Sequence, residues 1–124
     1  MVTLTELADN ECIITEAELY EMARVKPKDS GLPCALFVSD KSYVFGKHGP
    51  RIKVSNVPAT FSPTDNFVVS ISKNPSVVAG KTKYSMAVND DILDWVRLNF
   101  DTLMKFWNGE YESDADFYRE LKKI

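Results

Sequence analysis

The run Lys47-His48-Gly49-Pro50-Arg51-Ile52-Lys53 holds the side chains with the greatest chemical reach in this sequence. Cations beside glycines, where a backbone can approach closely, make a site for phosphate or for an acidic protein surface. His48 is the chain's one histidine, and histidine is the side chain best suited to proton transfer near neutral pH. With Lys47, Arg51 and Tyr43 to stabilise a phosphorane, it would support metal-free cleavage of RNA. A general base also needs an orienting partner, and no carboxylate lies within the turn. His48 therefore reads as a surface residue of a glycine turn, no catalytic residue is assigned, and the chain is not read as an enzyme.

Other chemistries find less support. A single histidine and no paired cysteine spacing argue against a metal site. Asp90, Asp91 and Asp94 read as acids answering a helix dipole rather than as ligands. Ser39, Ser42 and Ser70 carry no nucleophile motif, and there is no glycine-rich phosphate loop, so no cofactor is implied. Cys12 and Cys34 are expected to be reduced and partly buried, because no leader-like segment points to an oxidising compartment. No apolar run has the length of a membrane span, and the expectation is a cytoplasmic protein.

Charge is the most informative global feature. Seven of the fifteen Lys and Arg fall between Lys41 and Asn89, against one of the eighteen carboxylates, Asp65. The centre is strongly positive and the flanks strongly negative within a chain of net charge −3. Such asymmetry suits a protein that meets a negatively charged partner with one face. Nucleic acid is the weaker choice, because the sequence pI is about 5.1 and only Tyr43 and Phe45 offer stacking rings among the basic residues.

The 124 residues fit one domain, residues 1–124, with one core. Thr15 and Glu18 form a capping pattern for a first helix from Glu16 to about Arg24. Pro27 and Gly31-Leu32-Pro33 then send the chain into extended structure. Cys34 to Ser39 and Tyr43 to Phe45 read as a hairpin around Asp40-Lys41-Ser42. In Arg51-Ile52-Lys53-Val54, alternation puts both cations on one face of a half-buried strand. A loop from Ser55 to Asn66 leads to a central strand, Phe67 to Ser72, followed by short strands at Val77 to Ala79 and Lys83 to Met86. Lys81 and Lys83 guard that edge. The strongest helix starts with Asn89 as N-cap and stops at Asn108-Gly109, with Leu93, Val96, Phe100, Leu103 and Trp107 in one stripe and Trp95 and Phe106 on other faces. Ser113 and Asp116 cap a last helix whose Phe117, Leu121 and Ile124 dock on the same domain. The fold expected is α+β: a short N-terminal helix, a mostly antiparallel sheet of about four to five strands, and two C-terminal helices packed on one face.

The segments Thr15 to Ala23, Gly31-Leu32-Pro33, Lys47 to Val54, and Trp95-Val96-Arg97-Leu98-Asn99 through Trp107-Asn108-Gly109 resemble a family of small uncharacterised bacterial proteins often carried on phage or other mobile DNA. The resemblance covers nearly the whole chain and implies an origin and a fold, with no activity attached. More distantly, the layout is similar to small proteins found beside toxin and antitoxin genes. Those typically show a second histidine in the strand, where this chain has Arg51 and Lys53.

Three functional readings follow. The first is a small non-enzymatic binding or regulatory protein of phage or mobile-element origin. It would engage an acidic protein partner or a phosphate-bearing ligand through Lys41, Lys47, His48, Arg51, Lys53 and Lys73, as a counter-defence inhibitor would. The second is a toxin-like protein that binds or cleaves RNA with Lys47, His48 and Arg51. The third is an accessory protein that oligomerises through its long apolar helix, with Trp95 and Phe106 at the interface.

Overall fold

The computed structural model describes residues 22–39, 49–62 and 64–124. Five strands, β1 (Ala23–Val25), β2 (Cys34–Val38), β3 (Arg51–Pro58), β4 (Asn66–Ser70) and β5 (Val77–Ala79), lie in chain order across one antiparallel sheet. A single helical turn, α1 (Pro27–Ser30), separates β1 from β2; α2 (Met86–Leu98), α3 (Phe100–Trp107) and α4 (Asp114–Glu120) follow the sheet. The architecture is the α+β arrangement that the sequence suggests.

Register explains why the core lies on one side. Val25 pairs with Leu36, Leu36 with Val54 and Val54 with Phe67, while Ala23, Val38, Ile52 and Val69 form the parallel row. Since alternate side chains share a face, both rows meet Ile92, Trp95, Val96, Leu103 and Phe117 of the helices in one buried cluster. Burying each of the larger side chains contributes about 1.5–3 kcal/mol. Cys34 lies in this cluster as a free thiol, pushed up to about 12 by burial.

Several boundaries differ from those the sequence suggests. Ala23 and Arg24 belong to a strand, not to the end of a first helix, and residues 16–21 of that helix lie outside the described residues. Pro27 opens a helical turn because proline suits the first helical position. Gly31 closes it at φ 81° and donates to Pro27 O. A Cβ at Gly31 would sit 2.8 Å from Ile124 O, so the chain terminus packs where only glycine fits. Tyr43 to Phe45 lies outside the described residues, and β2 has β1 and β3 as its neighbours. Ser55 to Pro58 continues β3, with a register shift opposite Cys34–Leu36. Lys83 to Ser85 is not a strand, and Met86 is already helical.

The long helix differs most. Ser85, not Asn89, is its N-cap, accepting from Val88 N at 3.3 Å. Asp90 and Asp91 accordingly fall beyond the first turn. Asn99 then divides the helix into α2 and α3. The buried residues are Ile92, Trp95, Val96, Asn99, Leu103 and Trp107, while Leu93 and Phe100 are only half-buried. Trp95 thus sits at the centre of the core. Among the described residues its indole N–H has no hydrogen-bond partner, at a cost of about 1–3 kcal/mol that the buried ring offsets.

The C-terminal elements follow their signals. Gly109, at φ 70°, closes α3 with Gly109 N donating to Phe106 O and Glu110 N to Lys105 O, a Schellman pattern. Ser113 Oγ accepts from Asp116 N to start α4. Phe117 is buried against Phe106, ring centroids 4.4 Å apart, so α4 docks within the molecule. Leu121 packs at the edge of the core, but Ile124 is exposed and is held through its backbone N, which donates to Ser30 O.

Candidate binding face

On the sheet face away from the helices, one row runs across all five strands: Arg24, Phe37, Lys53, Val68 and Ala79. Arg51 and Ser70 form part of the row beyond Lys53. The alternation of Arg51-Ile52-Lys53-Val54 thus has its expected consequence, with Ile52 and Val54 buried and both cations on the other side, half-buried.

This face is not simply a basic surface. Phe37, Val68 and Ala79 are buried in its middle. Phe61, from the loop after β3, lies over Phe37 with centroids 3.7 Å apart, and Met22 joins that pair. The exposed Arg24 guanidinium stands 5.5 Å from the Phe37 ring centre, in cation–π range. Arg51 Nε donates to Gly49 O at 3.2 Å, and burial pushes the Arg51 pKa down. Arg51 and Lys53 are both engaged within the molecule. The cations therefore border a strip of apolar side chains that is already buried within the molecule.

Of the other residues singled out in the sequence, Lys73 is exposed in the turn between β4 and β5. Lys41, Lys47 and His48 lie outside the described residues. Trp95 is fully buried and Phe106 is half-buried against Phe117, so they do not form an interface patch on this chain. Asp94 pairs with Arg97 at 2.7 Å.

Hydropathy gave no warning of the polar cluster beside this face. Asn56 Nδ2 donates to Asp65 Oδ1 at 3.0 Å and to Lys81 O at 2.9 Å, and Asn56 Oδ1 accepts from Lys83 N at 2.9 Å. Lys83 Nζ reaches Asp65 Oδ2 at 2.6 Å. The hydrogen bonds from Lys83 and Asn56 hold the Asp65 carboxyl below the ordinary carboxylate range. Tyr84 OH donates to Ser55 O at 2.6 Å, and burial pushes the phenol up to about 12. This cluster ties the approach to α2 onto β3, and it neutralises Lys83. The one signal in the sequence was Asp65 itself, the lone carboxylate of the basic stretch.

The chain matches no protein-family model, no curated protein and no solved structure. Among the described residues no helix is long and apolar enough to cross a membrane.

Proposed function

We propose that the protein is a non-enzymatic binding protein of phage or mobile-element origin, acting in the cytoplasm by holding an acidic partner surface against the basic side of its sheet. The observation that carries this reading is the segregation of charge by layer. Among the described residues, the part from 22 to 85 holds eight Lys and Arg against Asp29 and Asp65. The part from 86 to 124, which forms the helical layer and tail, holds nine carboxylates against five Lys and Arg. Opposite fields on the two layers orient an approaching acidic partner towards the sheet and repel it from the helices. Masking a partner in this way suits a counter-defence inhibitor.

The test is a pull-down from bacterial lysate, with and without nuclease treatment, with tagged wild type and with Arg24→Glu, Lys53→Glu, the fold of each checked by circular dichroism. The expected result is an acidic protein retained by wild type, lost from the variant, and released by about 0.5 M salt, where screening is strong. Retention of nucleic acid alone before nuclease treatment, or of nothing, would count against the reading.

A further inference from the structure

β5 ends the sheet on its side, pairing with β4 through Val68↔Ala79 and Val69↔Val77, and no strand pairs with its outer edge among the described residues. A terminal strand offers unpaired N–H and C=O groups, a template for another extended chain. Val77 and Val78 are 40% and 46% exposed, so the strand stands in solvent. Lysines bracket it in the chain. Lys73 precedes it in the β4–β5 turn, and Lys81 and Lys83 follow Gly80. Lys83 is taken by Asp65, whereas Lys73 and Lys81 are exposed and take no part in the ion pairs among the described residues. The edge therefore has an apolar middle and cationic ends.

We propose that β5 is the docking edge for an extended acidic segment of a partner protein, which adds to the sheet as a further antiparallel or parallel strand. Its backbone pairs with that of β5, and its carboxylates meet Lys73 and Lys81. A second copy of this chain fits the edge poorly. Antiparallel pairing of β5 with its own copy about Val77 would bring Lys73 of each chain towards Lys81 of the other, and like charges facing across a strand pair are destabilising. The same lysines that guard the edge against self-association thus select an acidic occupant. This inference rests on the acidic-partner reading above and adds a second contact to it: the body of the partner lies against the sheet face at Arg24 and Lys53, an extended acidic segment of it pairs with β5, and a peptide that stands for that segment alone needs only the edge.

The experiment titrates the full ¹⁵N-labelled chain at low salt with a synthetic peptide of alternating Glu and Val, following amide shifts and hydrogen exchange. The expected result is shifts and slowed exchange centred on Val77 to Lys81, with α2–α4 unmoved. Affinity should fall about tenfold or more in Lys73→Glu, Lys81→Glu and change little in Arg24→Glu, Lys53→Glu. Binding that maps to Arg24, Phe37 and Lys53 and is lost in the latter variant would overturn the edge while leaving the acidic partner standing. Absence of any shift, or protection of β5 that grows with protein concentration without peptide, would overturn it too. The lysate result above judges the broader reading separately.

Discussion

Asn56, near the end of β3, and Asn99, at the break between α2 and α3, are both buried, and each turns its carboxamide on a segment without regular structure. Asn99 Nδ2 donates to Lys122 O at 3.0 Å and its Oδ1 accepts from Lys122 N at 2.8 Å. Asn56 treats Lys81 O and Lys83 N in the same way. In both places the side chain imitates a strand partner and satisfies backbone groups that no ladder serves. The difference is the third bond. Asn99 Nδ2 also donates to Trp95 O of its own helix, a neutral acceptor, whereas Asn56 Nδ2 also donates to Asp65, itself paired with Lys83. One clasp is electrically neutral and the other is charge-assisted, so the two should respond differently to truncation and to pH.

The largest effect is expected from Asn56→Ala. It removes one bond to a carboxylate and two to backbone, and it strands Lys81 O and Lys83 N beside the sheet, for a loss of about 3 kcal/mol. A lower urea midpoint at unchanged slope would show it. Asn99→Ala should cost less, about 1–2 kcal/mol, because none of its bonds is to a charged group and alanine favours the helix over asparagine. Faster amide exchange confined to Lys122 and Ile124 would mark a tail released from an intact domain. If Asn99→Ala proved the more damaging, the tail rather than the β3 clasp would be holding the helices to the sheet.

The same two residues show what was legible in the sequence. Elements with a local chemical signal came through: the alternation of Arg51 to Val54, the stop at Asn108-Gly109 and the cap at Ser113. The stripe along α2 and α3 was right at Val96, Leu103 and Trp107 but skewed at Leu93 and Phe100, because its centre is polar. Asn99 lies between Val96 and Leu103 on the buried face, and a hydrophobic pattern passes over it, which put Trp95 on the wrong side. Only a contact with Lys122, distant in sequence, makes asparagine acceptable there. Asn56 was hidden for the same reason, lying in a stretch that composition marks as loop, although its partner Asp65 stood out as the lone carboxylate of that stretch. The basic character of the sheet layer was legible, but not that Lys83 is neutralised or that Phe37 and Val68 fill the middle of the face.

The smallest and most discriminating effect concerns acid. Lys83 first, and then Asn56, hold the Asp65 carboxyl below the usual carboxylate range. In the unfolded chain an aspartate titrates near about 3.9. The folded state therefore binds this proton less tightly than the unfolded state, and the contribution of Asp65 to stability is complete above that unfolded value. It is lost as pH falls through the lower folded value. Asp65→Asn lacks the contribution at every pH, so its urea midpoint should lie below that of wild type near neutrality, and the gap should narrow as pH falls below the unfolded value of about 3.9. Other carboxylates titrate alike in both proteins and cancel in the difference. The gap between wild type and Asn99→Ala should stay level over the same range, since no ionisable side chain takes part in the Asn99 bonds. An Asp65→Asn gap that stays as level with falling pH as the Asn99→Ala gap would mean that the shape of the Asn56 clasp, and not its charge, is what distinguishes it from Asn99.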